Sequence, residues 1–281
     1  MDRQTKVVHM ATVEINGTSL FYTLTGSGQT CLVMHGGLGM DQTMYRTLDP
    51  LGQHVRLVYY DHRGNGRSGR PPLESLTMEQ LADDAASLAA SLSSEKVVVF
   101  GHSYGGFIAQ EFALRHPDRV SALILCDTTP GQLGVEEPED ESAGPPPPPE
   151  FIEMISNPPT ADQELGAAFR GLIPAYLHRR AASDLESALA GTIFSVGAMN
   201  RGFEILSQWS SVDRLGSVDI PTLLLVGSHD AFTSPSQSHR MARRLPHSEV
   251  VEFDDSGHIP WLDEPERFFQ VVGDWLKLHA A

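Results

Sequence analysis

The chain has 281 residues, 41% hydrophobic and 20% charged, a composition that belongs to folded globular proteins and excludes general disorder. Asp and Glu outnumber Lys and Arg by 36 to 20, for a formal net charge of −16; such a field repels phosphate backbones and anionic lipid, so neither nucleic acid nor a membrane surface is an expected partner. No run of about 18 apolar residues is present to span a bilayer, and the two cysteines, Cys31 and Cys126, lie in apolar runs without a CxxC spacing, so buried free thiols and no structural zinc are expected.

In chain order, β-rich runs at 12–15 and 20–25 flank Asn16-Gly17, a favoured two-residue turn, and predict an antiparallel hairpin. Further strands are expected at 31–35 and 57–60. A helix over 78–92 carries Leu81, Ala85, Leu88 and Leu92 at helical spacing, behind a Thr77 cap with Gln80 three residues on. Val97-Val98-Val99-Phe100 opens the run 97–101, nearly continuous in apolar residues as in a strand covered on both faces. A helix beginning near Tyr104 follows and stops near Pro117, and a strand at 122–127 comes next. This alternation predicts an α/β fold with a mostly parallel sheet and right-handed crossovers.

The rhythm breaks between about Pro130 and Ser217. Residues 135–150 are acidic and end in five prolines, Pro145 to Pro149, which predicts a loop without packed structure. From Phe151 to Trp209 the pattern is helical. Strands resume at 222–227 and 250–253, with helices at 235–245, where Ser234 caps and Pro235 takes the first position, and at 265–278. The expected organisation is a core of residues 1–129 and 218–281, with a helical cap of residues 130–217 inserted between the sixth and seventh strands. The cap's Phe151, Ile155, Phe169, Leu172, Tyr176, Phe194, Phe203 and Trp209 suit either a pocket wall or the cap's own core.

The chemistry gathers at strand ends. Gly101-His102-Ser103-Tyr104-Gly105 matches G-x-S-x-G between a strand and a helix. A chain turning that sharply needs small flanking residues, exposes the serine hydroxyl, and aims the Tyr104 amide from a helix N-terminus at developing negative charge. A serine hydroxyl needs a base. Asp230 follows the run 222–227 and His258 follows the run 250–253, giving the chain order Ser, Asp, His that suits a nucleophile on such a turn. His35-Gly36-Gly37-Leu38-Gly39 follows another strand, and its small residues let the backbone approach a substrate oxygen. Gly37, with Gly36 as the alternative, and Tyr104 are the expected oxyanion-hole amides.

Taken together, these motifs resemble the α/β-hydrolase superfamily along nearly the whole chain: HGGLG at 35–39, DHRGNGRSG at 61–69, GHSYGG at 101–106, His229-Asp230, and SGHIPWLDEPERF at 256–268. HGG followed by DxRGxGxS is similar to the proline iminopeptidase group and its esterase-like relatives. Leu38, where that peptidase group has proline, and Tyr104 after the serine depart from its pattern and are equally at home in carboxylesterases and lactonases. The resemblance implies a mostly parallel eight-stranded sheet with an N-terminal hairpin and a helical cap. It also implies a cytoplasmic, cofactor-free serine hydrolase with the triad Ser103, Asp230 and His258, acting on a small ester, lactone or amide. Proline iminopeptidase activity and a small-molecule receptor on the same scaffold are the alternatives. Asp162, Glu164, Glu186 and Glu204 of the cap read as solvated helix charges rather than receivers of a substrate amine. The stretch from Asp61 to Gly69 reads as support for the site, with Arg63 anchoring the loop.

Overall fold

The computed structural model describes residues 9–131 and 145–280. Eight strands form one sheet: β1 (His9–Ile15), β2 (Thr18–Thr25), β3 (Thr30–Met34), β4 (Arg56–Tyr60), β5 (Val97–His102), β6 (Val120–Cys126), β7 (Thr222–Gly227) and β8 (Ser248–Phe253). Their spatial order is β1-β2-β4-β3-β5-β6-β7-β8. β1 pairs antiparallel with β2 in a register closed by Ile15 and Thr18, β2 pairs antiparallel with β4, and every other pairing is parallel. The expected strands therefore form, with ends moved by one to three residues.

Between β4 and β5 lies α1 (Met78–Leu92), and between β5 and β6 lies α2 (Tyr104–Arg115). The Thr77 side chain accepts the Gln80 amide at 3.1 Å, as its capping position requires. Among the described residues, four α-helices separate β6 from β7: α3 (Pro149–Ser156), α4 (Asp162–Tyr176), α5 (Ala182–Ala188) and α6 (Val196–Leu206). α7 (Pro235–Ala242) precedes β8, and α8 (Pro260–Asp263) and α9 (Pro265–His279) follow it. No helix among the described residues is long and apolar enough to cross a membrane.

The nearly unbroken apolar runs have a direct cause. Alternate side chains of each central strand point to opposite faces, and helices cover both. Leu32, Val99, Leu123 and Leu224 pack on the face covered by α1 and α2. Val33, Phe100, Ile124 and Leu225 pack on the face covered by α9 and a 3-10 segment, Thr43–Gln53. Both cysteines are buried and unpaired in disulfide terms.

Three expectations are corrected. The third strand ends at Met34, so His35 stands just beyond it. The helix after Ser234 closes at Ala242 rather than Leu245. The Pro-rich loop ends earlier than 150: residues 145–148 are irregular, but Pro148 is the N-cap and Pro149 the first residue of α3. Proline's fixed φ and missing N–H suit that first position, so the run of prolines starts a helix as well as ending a loop. The expected loop's residues 135–144 lie outside the described residues.

Candidate active site

β5 carries Ser103 to the end of the sheet, and the chain turns directly into α2 with Ser103 as its N-cap at φ 51°, ψ −121°. A non-glycine residue in that region costs roughly 1–3 kcal/mol and persists only where its surroundings over-determine it. Here the Ser103 amide donates to the Cys126 carbonyl at 3.1 Å, and Thr128 Oγ1 donates to the Ser103 carbonyl at 2.9 Å. Gly105 follows because a Cβ there would run into the Met34 carbonyl. Gly36 approaches from the neighbouring loop, where a Cβ would stand 2.7 Å from that of Ser103.

Asp230 ends the turn after β7, and His258 lies on the loop between β8 and α8. The structure brings them together: His258 Nδ1 lies 2.8 Å from Asp230 Oδ2, with both residues buried. Nδ1–H donates to the carboxylate, which leaves Nε2 as the proton acceptor of the neutral ring. Asp230 also accepts the amides of Phe232 (2.7 Å) and Thr233 (3.2 Å) and the Thr233 hydroxyl (2.6 Å). Burial opposes its ionisation, but its pairing with His258 and these hydrogen bonds outweigh it and hold the carboxyl below its ordinary range. The His258 backbone is fixed as well. Its amide donates to the Tyr176 carbonyl at 2.8 Å, and its carbonyl is 2.8 Å from His102 Nε2. Ser103 and His258 line the same cavity.

Asp127, which the sequence reading missed, lies at the end of β6 beside this pair. It is fully buried, at φ 44°, and accepts the Gly227 amide at 2.9 Å. Its carboxyl lies within 4.8 Å of that of Asp230 and accepts the Cys126 thiol at 3.1 Å. Burial and the negative charge of Asp230 raise its pKa well above the carboxylate range, so that it holds its proton beside the ionised Asp230. Asp127, Asp230 and His258 bring ligand-type atoms within 4.8 Å of one another, as a metal site would. Those atoms, however, are engaged with each other and with the surrounding donors, which describes a proton-sharing group.

The two amide candidates differ from their neighbours. The Gly36 amide donates to the Tyr45 hydroxyl at 2.5 Å, and so is occupied. That hydroxyl is 2.6 Å from His102 Nδ1. With Nε2–H of His102 donating to His258, the bonds run as one directed chain from Gly36 through Tyr45 and His102 to the His258 carbonyl. Burial drives the His102 pKa well below that of a free imidazole, so the ring is neutral, as this chain needs. Gly37 lines the cavity beside Ser103 with φ 73°. Tyr104 is the first residue of α2, where an amide has no intrahelical acceptor.

The stretch after β4 does support the site. Arg63 binds Asp84 through Nε (2.6 Å) and Nη2 (2.8 Å) and reaches the Asn16 carbonyl at 3.1 Å. Asp61 accepts the amides of Gln42 (3.0 Å) and Arg67 (2.7 Å), and burial lifts its pKa to about 6. The His62 amide donates to His35 Nε2 at 3.2 Å, and burial lowers the His35 pKa to about 4. These contacts tie the glycine loop at 35–39 to the sheet.

Of the eight residues between 151 and 209 with two readings, Phe151, Phe169, Tyr176 and Phe203 line the cavity. Leu172 and Phe194 pack in the helices' own core. Trp209 packs on Phe107 and donates to Glu111 at 2.9 Å, and Ile155 is exposed. The four carboxylates singled out between β6 and β7 stand elsewhere. Asp162 accepts the Val196 amide, Glu164 binds Thr160, Glu204 pairs with Arg201, and Glu186 is exposed.

Comparison with known proteins bears on the whole chain. A proline iminopeptidase, PfmaB, of Pestalotiopsis fici is 27% identical over 280 residues, covering 94% of this chain and 98% of that protein. A pimeloyl-[acyl-carrier protein] methyl ester esterase of Aromatoleum aromaticum is 29% identical over 260 residues, covering 88% and 98%. Among solved structures, a thermophilic esterase from Thermogutta terrifontis superposes with a TM-score of 0.75 at 29% identity, covering 99% of this chain and all of that one. The model of the alpha/beta hydrolase fold family matches residues 30–265. The chain therefore belongs to the alpha/beta hydrolase fold family.

Proposed function

We propose that the chain is a serine hydrolase of small neutral carboxylic esters, working through an acyl-enzyme with Ser103, His258 and Asp230 as its triad. The observation that carries this reading is the buried His258–Asp230 hydrogen bond at the wall of the cavity into which the strained Ser103 turn opens. Ser103 Oγ attacks the substrate carbonyl while His258 Nε2 takes its proton. Asp230 holds the ring's orientation and favours its charged form. The amides of Gly37 and Tyr104 receive the developing oxyanion, each worth roughly 2.7–4 kcal/mol of transition-state stabilisation in comparable sites. The C–O bond to the alcohol then breaks, and His258 returns the proton to the leaving oxygen. Water, deprotonated by His258, releases the acid and restores Ser103. These steps call on no cofactor.

Residues 130–217 serve as the cap and residues 1–129 and 218–281 as the catalytic core in this reading. The lining residues of α3, α4 and α6 support it, since they meet Ser103 across the cavity.

One relative is named an iminopeptidase and another an esterase. The cavity wall favours the ester. An aminopeptidase holds its substrate's ammonium against carboxylates, whereas this wall carries Leu38, Phe107, Phe151 and Phe203 and, among the described residues, no Asp or Glu. An unpaired ammonium there would lose its hydration without compensation. Parallel assay of p-nitrophenyl butyrate and a prolyl arylamide tests the choice. Ester turnover that disappears in Ser103→Ala is expected; a preference for the arylamide that depends on its free amine would reverse it.

A further inference from the structure

Asp263, the last residue of α8, is buried, and its carboxylate is the meeting point of four backbone amides. Oδ2 accepts those of His178 and Gly257, each at 2.9 Å, and Oδ1 accepts those of Arg179 and Arg180, each at 3.0 Å. Three consecutive amides turned towards one anion form a nest, a backbone concavity that binds negative charge. Here the chain supplies the anion itself, from 83 to 85 residues further on.

Both lengths of chain gathered there lead to the imidazole. Gly257 directly precedes His258. Residues 178–180 follow soon after Tyr176, the last residue of α4, whose carbonyl accepts the His258 amide at 2.8 Å. The approach is close: a Cβ on Gly257 would stand 2.7 Å from the Tyr176 carbonyl oxygen and 3.3 Å from the His178 nitrogen. The same segment reaches the Asp230 loop. Tyr176 stacks on Phe232 with ring centroids 4.6 Å apart, and the Phe232 amide is one of the donors to Asp230. His178 stacks on His229, the neighbour of Asp230, at 3.6 Å. The Asp263 carboxylate therefore fastens the segment that supports His258 on one side and the residue before it on the other. An ionised acceptor makes such bonds stronger than a neutral one does, and burial strengthens them further.

We infer that Asp263 is a positioning residue for His258: by holding residues 178–180 and Gly257 on one carboxylate, it sets the main chain from which the imidazole reaches Ser103 and Asp230. This deepens, and rests on, the hydrolase reading above. The role requires a full carboxylate. An amide of the same shape has one acceptor oxygen for two of the four N–H groups and turns an NH₂ donor towards the other two, whichever way it is flipped. A displaced Tyr176 carbonyl or Gly257 amide moves His258 in both halves of the reaction, since the same ring serves acylation and deacylation. Loss of the carboxylate therefore lowers kcat and leaves KM nearly in place.

Turnover of p-nitrophenyl butyrate by Asp263→Asn and Asp263→Ala tests the inference, with kcat expressed per serine labelled to completion by a small fluorophosphonate. In both variants kcat should fall about 10–100-fold, the loss that follows from misplacing a catalytic group by up to about 1 Å, with KM within about twofold of wild type. Alanine leaves the four amides facing a vacated site that formate can enter. Formate should restore the kcat of Asp263→Ala saturably towards the wild-type value. Formamide, with one acceptor oxygen and an NH₂ group, should not, and neither should alter the wild-type chain. A residue that only stabilised the fold would lower the urea unfolding midpoint while kcat per labelled serine stayed at the wild-type value, and that result would overturn the inference. Equal rescue by formate and formamide would overturn it as well. Where Asp263→Ala does not fold, the comparison of Asp263→Asn with wild type decides, since asparagine fills the aspartate's volume. Unimpaired turnover by that variant, beside an active wild type, would refute this inference alone. A wild-type chain without labelling and without ester turnover would refute the hydrolase reading beneath it.

Discussion

Asp127→Asn isolates the proton that Asp127 shares with Asp230. Both carboxyls are fully buried and within 4.8 Å of each other, and ionising both would place two like charges side by side away from the surface. The proton therefore resides on Asp127 in the folded chain, while in the unfolded chain the same carboxyl titrates near an ordinary value of about 3.9. A carboxyl whose folded pKa is raised contributes stability that is fully present below its unfolded pKa and is lost as pH rises towards the folded one. Between these limits the folded state holds one more proton at this site, and the stability contribution falls by about 1.4 kcal/mol per pH unit. Asparagine keeps an acceptor for the Gly227 amide and a donor for Asp230, and does not titrate. In urea unfolding at pH 5, 6 and 7, the stability of Asp127→Asn relative to wild type should therefore rise with pH, by up to about 1.4 kcal/mol per pH unit. Every other titrating group is common to both chains and cancels to first order in the difference. A difference independent of pH would mean that Asp127 is already ionised, and would refute the proton-sharing description.

Three other expectations follow from the same contacts. Asp230→Asn should lower kcat by about 10³–10⁴-fold in ester hydrolysis, because the amide offers His258 the wrong partner at Nδ1; a loss below tenfold would place the functional acid elsewhere. Arg63→Ala leaves the Asp84 carboxylate, whose side chain is only 2% exposed, without its cation and with only the Asn16 and Gln80 amides as donors, and should cost about 3–5 kcal/mol in urea unfolding without changing turnover per labelled serine. Gly105→Ala forces a methyl group against the Met34 carbonyl and should lower stability by about 1–3 kcal/mol, read as a fall in the unfolding midpoint.

Most of the fold was legible because its signals are local. Val97 to Phe100 and Leu223 to Val226 are apolar on both faces of their strands, and the structure buries both faces. Thr77 announces α1 through a cap three residues long. Ser103, Asp230 and His258 were recognisable as strand-end residues, and Asp127, at the end of β6, has the same signal. It was passed over as the last letter of an apolar run. The segment Thr43–Gln53 was missed although its buried Met44, Tyr45, Leu48 and Leu51 recur at helical spacing, because Pro50 inside it argues against a continuous helix. The division of labour between Gly36 and Gly37 was not readable at all. It depends on the Tyr45 hydroxyl, nine residues along the chain, and on His102, which together occupy one amide. Which cap aromatics face the serine also depends on how four short helices pack. Phe169 and Leu172 are three residues apart on α4, yet one lines the cavity and the other does not.

The central claim is that one serine forms a covalent acyl intermediate, and trapping that intermediate tests it most directly. The chain would be mixed with p-nitrophenyl butyrate, quenched in acid within the first turnover, and digested for peptide mass mapping. The account predicts a single butyryl group on Ser103, with none on Ser103→Ala. A butyryl group mapped to another side chain, or steady hydrolysis by Ser103→Ala at the wild-type rate, would contradict it.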